Sequence, residues 1–215
     1  MISHGRKLNK FGIPHPQVHG FVENSGLLPL CRIGYEVADK GLITAFVERW
    51  HKDTNSFHLP LGEMTITLDD VSSILHIPIV GQFPTYEVLS YDEAKDLLIE
   101  LLGVSETQAN EELMESRGPQ VRMSWLREVY EQCCIVGSWE FAARAFLMHL
   151  LGCTIFANKS ASWIFVYHLS LFRDLDMCGQ WAWGATALTF MYEQLGDACL
   201  GDIRLLASFL TIVQV

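Results

Sequence analysis

Three carboxylate pairs stand close enough in sequence to share a cation: Asp69-Asp70, Asp174 with Asp176, and Asp197 with Asp202. Hard divalent ions take oxygen ligands of this kind. Two of the pairs fall at expected helix starts, where acids complement the helix dipole, so capping is their expected role. The eight histidines are scattered and make no HExxH motif. His58 stands out because it falls on the outward side of an expected hairpin. A hydrogen-bonded structural histidine is the expected reading. Cys31, Cys133, Cys134, Cys153, Cys178 and Cys199 form no CxxC and no Cys–His spacing that suits zinc. Most sit in apolar helical patterns, as small buried hydrophobes do, and are expected to be reduced thiols of an intracellular protein. Arg173-Asp174 reads as a buried or half-buried ion pair fixing a helix junction. Trp125, Trp139, Trp163, Trp181 and Trp183 lack the basic neighbours of a base-stacking platform, so they are assigned to the core. No catalytic residue, metal ligand or cofactor emerges, and no enzymatic activity is expected.

The elements that position these residues are mainly helical. Ile43, Phe46, Val47 and Trp50 recur at i, i+3, i+4 and i+7, one helical face. Phe57 and Leu59, then Met64, Ile66 and Leu68, alternate with polar residues around Pro60-Leu61-Gly62-Glu63. This predicts a β-hairpin over about residues 56–68 with those five side chains on one buried face. Thr67 with Asp70, Ser90 with Glu93, and Ser105 with Gln108 are helix-capping pairs. Pro78 bounds the first of these helices and Gly103 the second. Ser124 and Ser138 are read as further caps. Helices are expected over Trp139–Leu151, closed by Gly152, over Ile164–Leu175, and over Gln180–Leu195, closed by Gly196. A last helix starts near Gly201. The fold class is therefore mainly α, a helical domain with one small hairpin. No strand–helix alternation suggests a doubly wound sheet.

Composition bounds the function. Half of the 215 residues are hydrophobic, enough for a sizeable core. The net charge of −10 repels phosphate backbones, so direct nucleic-acid binding is not expected. Residues 1–24 are read as an irregular, solvated leader carrying Arg6, Lys7 and Lys10. No apolar stretch suggests a membrane span or a signal peptide.

The segment from Leu42 to Gly81 resembles the plant mobile domain, also labelled aminotransferase-like. The resemblance rests on Leu42-Ile43-Thr44-Ala45, Val47-Glu48-Arg49-Trp50, Phe57-His58-Leu59-Pro60, Gly62-Glu63-Met64-Thr65-Ile66-Thr67-Leu68 and Asp70-Val71. Leu147–Phe156, Leu171-Phe172-Arg173-Asp174-Leu175 and Trp183-Gly184-Ala185 extend it over residues 25–215. The family includes maintenance-of-meristems-like proteins and long-form homologues of a plant seven-class serine/threonine phosphatase. The resemblance implies a nuclear role in meristem maintenance, gene-expression control and transposon silencing. It also implies a protein partner, with a phosphatase-like protein as a candidate. The motif singles out Glu48, Arg49, Trp50, His58, Glu63, Arg173 and Asp174 as interaction candidates. His51-Lys52 replaces the Arg-Pro that follows the Trp in many members. The family continues past Val215, so a C-terminally truncated copy is expected.

The aminotransferase-like label raises pyridoxal phosphate, which needs a Schiff-base lysine and a phosphate cup. Lys7, Lys10, Lys40, Lys52, Lys95 and Lys159 offer neither context. The expected function is a non-catalytic interaction module. Alternatives are a DNA- or chromatin-directed module of transposon origin, then a cryptic enzyme. Leu205, Leu206, Phe209, Leu210, Ile212 and Val213 are too many for one helical face, so self-association, or binding of a partner, through the last helix is expected.

Overall fold

The computed structural model describes residues 11–32, 40–157 and 162–199. The basic residues of the leader and the apolar cluster of residues 205–213 lie outside them. The helices are α1 (Pro16–Asn24), α2 (Lys40–Val47), α3 (Leu68–Leu75), α4 (Tyr91–Leu102), α5 (Glu106–Ser116), α6 (Met123–Val136), α7 (Trp139–Cys153) and α8 (Trp183–Cys199). Short 3-10 segments cover Leu28–Cys31, Val166–Phe172 and Cys178–Gln180. The expected mainly α class is what the chain adopts.

Three helix starts are set by reciprocal capping boxes. Thr67 accepts from the Asp70 amide at 3.2 Å, and the Asp70 carboxylate accepts from the Thr67 amide at 2.8 Å. Ser90 with Glu93 and Ser105 with Gln108 repeat the arrangement. Each satisfies two amides that a helix start otherwise leaves open. Ser124, by contrast, lies inside α6, whose cap position is Arg122. Ser138 occupies its cap position without a side-chain bond.

Helix α7 is the centre of the molecule. It is buried on all sides from Ala142 to Cys153, as an all-round apolar helix must be. Gly152 does not end it. A β-carbon there would sit 2.7 Å from the Met123 sulfur, so the glycine lets α6 approach. Gly196 likewise lies inside α8, facing Lys52.

Residues 16–24 correct the expected irregular leader. Pro16 occupies a first-turn position, and Val18 and Val22 are fully buried. Proline is preorganised for a helix start. Two valines four residues apart are a short stripe that the surrounding Gly, His and Asn conceal. The Ser25 carbonyl just beyond accepts from the Trp183 indole at 2.9 Å.

The hairpin forms, with Phe57 opposite Met64, His58 opposite Glu63 and Leu59 opposite Gly62. Its strands are β2 (Ser56–Leu59) and β3 (Gly62–Met64). Of the five expected inward residues, Phe57 and Ile66 are buried, Leu59 is half-buried, and Met64 and Leu68 are exposed. The chain leaves the ladder after Met64 to reach the Thr67 cap, so alternation no longer governs Leu68. Trp50 also departs from expectation. Helix α2 stops at Val47, and Trp50 begins a third strand, β1 (Trp50–His51), opposite Phe57. Helical and sheet placements both bury it, so the apolar spacing could not separate them.

A second sheet was not expected. β4 (Gln120–Arg122) pairs antiparallel with β5 (Trp163–Phe165), matching Val121 to Ile164. The helix expected over Ile164–Leu175 is instead this strand followed by the 3-10 segment.

Candidate functional site

The family-like motif builds the three-stranded sheet and its flanks. Arg49 closes α2: its guanidinium donates to the Ala45 carbonyl at 2.9 Å, where a cation meets the negative helix end. The Arg49 carbonyl accepts from the His58 amide at 2.8 Å, tying helix to sheet. Glu48 is exposed, and its amide bonds back to Thr44. Trp50 is buried against Phe57 at 4.8 Å between ring centroids and against Tyr192 of α8 at 5.2 Å. Tyr192 donates its hydroxyl to the Ile66 carbonyl and shares a 2.8 Å bond with the Thr65 hydroxyl.

The outer face of the sheet is polar. His51 and His58 stack at 4.4 Å with an interplanar angle of 7°. His58 Nε2 lies 3.4 Å from a Glu63 oxygen. Ser56 donates to the other Glu63 oxygen at 3.3 Å and sits 2.7 Å from the Thr54 hydroxyl. Hydroxyl, imidazole and carboxylate are the ingredients of acid–base and nucleophilic chemistry. Here they satisfy one another, with His58 and Glu63 exposed and Ser56 buried beneath them. This is the hydrogen-bonded structural histidine expected for His58.

The inner face carries a cleft of about 180 Å³. Phe46, Phe57, Leu59, Met64 and Ile66 line it, with Thr65 and Asp70 as its polar edge. Small-molecule sites usually span about 300–1,000 Å³. This cleft is smaller than that range.

Arg173 and Asp174 belong to a different place and do not pair with each other. Both are exposed. Arg173 pairs with Glu100 of α4, and Asp174 accepts from the Asp176 amide at 3.0 Å. The buried cation at this junction is Arg144 of α7, which the sequence reading missed. It donates to the Phe172 carbonyl at 2.9 Å and the Arg173 carbonyl at 3.2 Å, and pairs with Glu140. A lone Arg inside an apolar helical run was the available signal. A second missed ion pair joins Arg122 to the buried Glu112, which also accepts from the Arg122 amide at 2.6 Å.

Other reactive groups are damped. Burial pushes the Cys31 thiol up to about 11 and the Cys178 thiol up to about 12. Neither is a ready thiolate nucleophile. None of the six cysteines is disulfide-bonded. Among the described residues, no three His, Cys, Asp or Glu side chains converge as a metal site requires. Among them, too, no helix is long and apolar enough to cross a membrane.

The loop from residue 76 to 90 presents apolar side chains outward. It is tied at Gln82 to the segment before α8: the Gln82 amide donates to the Gln180 carbonyl at 2.7 Å, and the Ala182 amide donates to the Gln82 carbonyl at 2.9 Å. Gly81, with φ at +151°, lets the strands meet, since a β-carbon there would lie 2.3 Å from the Gln180 carbonyl. Pro84 is buried, while Val80, Phe83 and Val88 are 83%, 52% and 92% exposed.

Comparison with known proteins agrees with the motif. The family model described as plant mobile domain matches residues 30–215. The chain is 36% identical over 214 residues to Protein MAIN-LIKE 1 of Arabidopsis thaliana, covering 98% of this chain and 41% of that protein. It is 38% identical over 197 residues to Protein MAINTENANCE OF MERISTEMS of the same plant, covering 90% and 40%. Against the Serine/threonine-protein phosphatase 7 long form homolog, also of Arabidopsis thaliana, identity is 31% over 193 residues, covering 88% and 14%. No solved structure matches. The chain spans about two fifths of the length of the first two relatives. The sheet, cleft and α8 described above lie within the matched region, and this chain belongs to the plant mobile domain family.

Proposed function

We propose that this protein is a non-catalytic interaction module of the plant nucleus, acting in meristem maintenance, gene-expression control and transposon silencing. The relative named for meristem maintenance supports the setting. The phosphatase homolog matches over only 14% of its length, so its name brings no phosphatase activity to this chain. The observation that carries the reading is the 76–90 loop. Apolar side chains pointing into water from a loop tied at Gln82 mark a contact surface, because a tethered loop loses less entropy on docking than a free one. The partner is a protein with a complementary apolar patch. The net charge of −10 sets DNA aside as the direct target.

The test is affinity purification from plant nuclei with the chain and its V80D/V88D variant, followed by mass spectrometry. A partner lost from the variant, with unchanged melting, is the expected result. An identical set of captured proteins removes the loop from the interaction. Turnover of a phosphate ester, abolished by one substitution, overturns the non-catalytic reading.

A further inference from the structure

Between residues 76 and 100 stand five carboxylates, Glu87, Asp92, Glu93, Asp96 and Glu100, against one lysine or arginine, Lys95. All five are exposed. Asp92, Asp96 and Glu100 recur every four residues, which aligns them on one ridge of α4. Lys95 is already held by Asp92 at 3.7 Å and Glu106 at 3.2 Å, and Arg173 reaches across to pair with Glu100. Glu93 is taken up by the cap, its carboxylate accepting from the Ser90 amide at 2.8 Å. Glu87 and Asp96 enter no ion pair among the described residues. This stretch therefore carries negative charge that the domain does not neutralise.

The exposed apolar side chains of the loop stand at the head of that ridge. Val88 lies two residues before the Ser90 cap, with Glu87 beside it. Tyr91, the first residue of α4, is 38% exposed, and its hydroxyl donates to the Asn110 carbonyl at 3.2 Å, which holds the ring in place. Exposed aromatic faces such as those of Phe83 and Tyr91 attract cations. Tyr86 anchors the middle of the loop, edge-on to His168 at 5.0 Å between ring centroids. Among the described residues, the main-chain amides and carbonyls from Phe83 to Val88 enter no hydrogen bond, so they are free to pair with another chain. We infer that Val80, Phe83 and Val88, with Glu87 and the Asp92–Asp96 ridge beside them, take a basic segment of a partner protein, one that sets an apolar side chain between lysines or arginines. The inference rests on the loop being a contact surface and adds the chemistry of what it contacts. Apolar contact alone would accept any apolar segment. Unneutralised carboxylates at the rim turn away acidic segments and speed the approach of basic ones.

The test is selection of random peptides displayed on phage against the whole chain at physiological salt, with the affinities of the selected peptides then read by fluorescence anisotropy. The expected peptides carry lysine or arginine on both sides of an apolar residue. Val80→Ser with Val88→Ser removes apolar surface without adding charge and should abolish their binding. Glu87→Gln with Asp96→Asn should weaken it about tenfold. Glu128→Gln with Glu131→Gln removes the same net charge from α6 and should change it less than about twofold. All six side chains are exposed, and thermal melts check that each variant is folded. Peptides that need the valines but carry no basic excess overturn the basic partner and leave the contact surface standing. So does binding that survives Glu87→Gln with Asp96→Asn, or that falls equally in the α6 variant. Selection of no peptide, or of peptides indifferent to the valines, overturns both readings.

Discussion

The two small sheets make an instructive pair. The β2–β3 hairpin of the first sheet was legible, being long in motif, alternating in pattern and bounded by Pro60 and Gly62, although β1 was not. Yet β3 is exposed throughout, and a cleft opens on the inner face. The β4–β5 ribbon is three residues a side and left no readable pattern. It is nevertheless locked: Val121 and Ile164 are buried, and Arg122 at its end holds the buried Glu112 through both backbone and guanidinium. Legibility follows periodic length, whereas stability follows how completely each group is buried and partnered.

The sharpest way to break this contrast is acid. His168 lies three residues beyond β5, stacked on Phe156 at 3.9 Å, and its burial pulls its pKa from 6.5 to about 3. The folded state keeps it neutral while the unfolded chain takes a proton below pH 6.5. Its stabilising share is thus complete above pH 6.5 and is lost as pH falls from there toward 3. At pH 4.5 the loss is about 3 kcal/mol. Urea melts of the chain and of H168F at pH 7 and 4.5 check it, and equal pH slopes would remove His168 as the cause.

Next in size, Glu112→Ala removes a bidentate pair and a backbone acceptor and should cost about 2 kcal/mol. A midpoint shift no larger than that of a surface substitution would contradict the claim that the ribbon is locked. Thr67→Ala, at the exit of the legible sheet, loses a capping box and should cost about 1 kcal/mol. Thermal unfolding resolves that difference. Arg173→Ala should change stability by less than about 0.5 kcal/mol, since its pair with Glu100 is exposed on both sides. A larger loss would restore the structural weight that the sequence suggested.

These differences explain what could be read in advance. Capping boxes at Thr67, Ser90 and Ser105 are local chemistry within four residues, so sequence suffices. The assignment of Trp50 to a helix failed because the i+7 position of a helix and the inward position of a strand ask for the same residue. The Arg173–Asp174 pairing failed because adjacency in sequence says nothing about which carboxylate lies across the junction. The partners of Arg144 and Glu112 were invisible for the converse reason: they are 28 and 10 residues away. The polar candidates Glu48, Arg49, Trp50, His58 and Glu63 do share the one sheet and its entry, as their closeness in sequence suggested.

The indole of Trp183 has a consequence for how the chain reaches this state. Its N–H is shared between the Ser25 carbonyl and the Cys178 carbonyl, joining positions 158 and 5 residues apart. The short loop closes early in any folding order. The long one carries a larger entropic cost and forms only when α1 and α8 meet. On the ribosome, the end of α1 therefore emerges long before the residue that fastens it, leaving the Ser25 carbonyl without that donor while the intervening helices are made. A slow, late step that buries Trp183 is built into this topology, and the fluorescence of that side chain would report it.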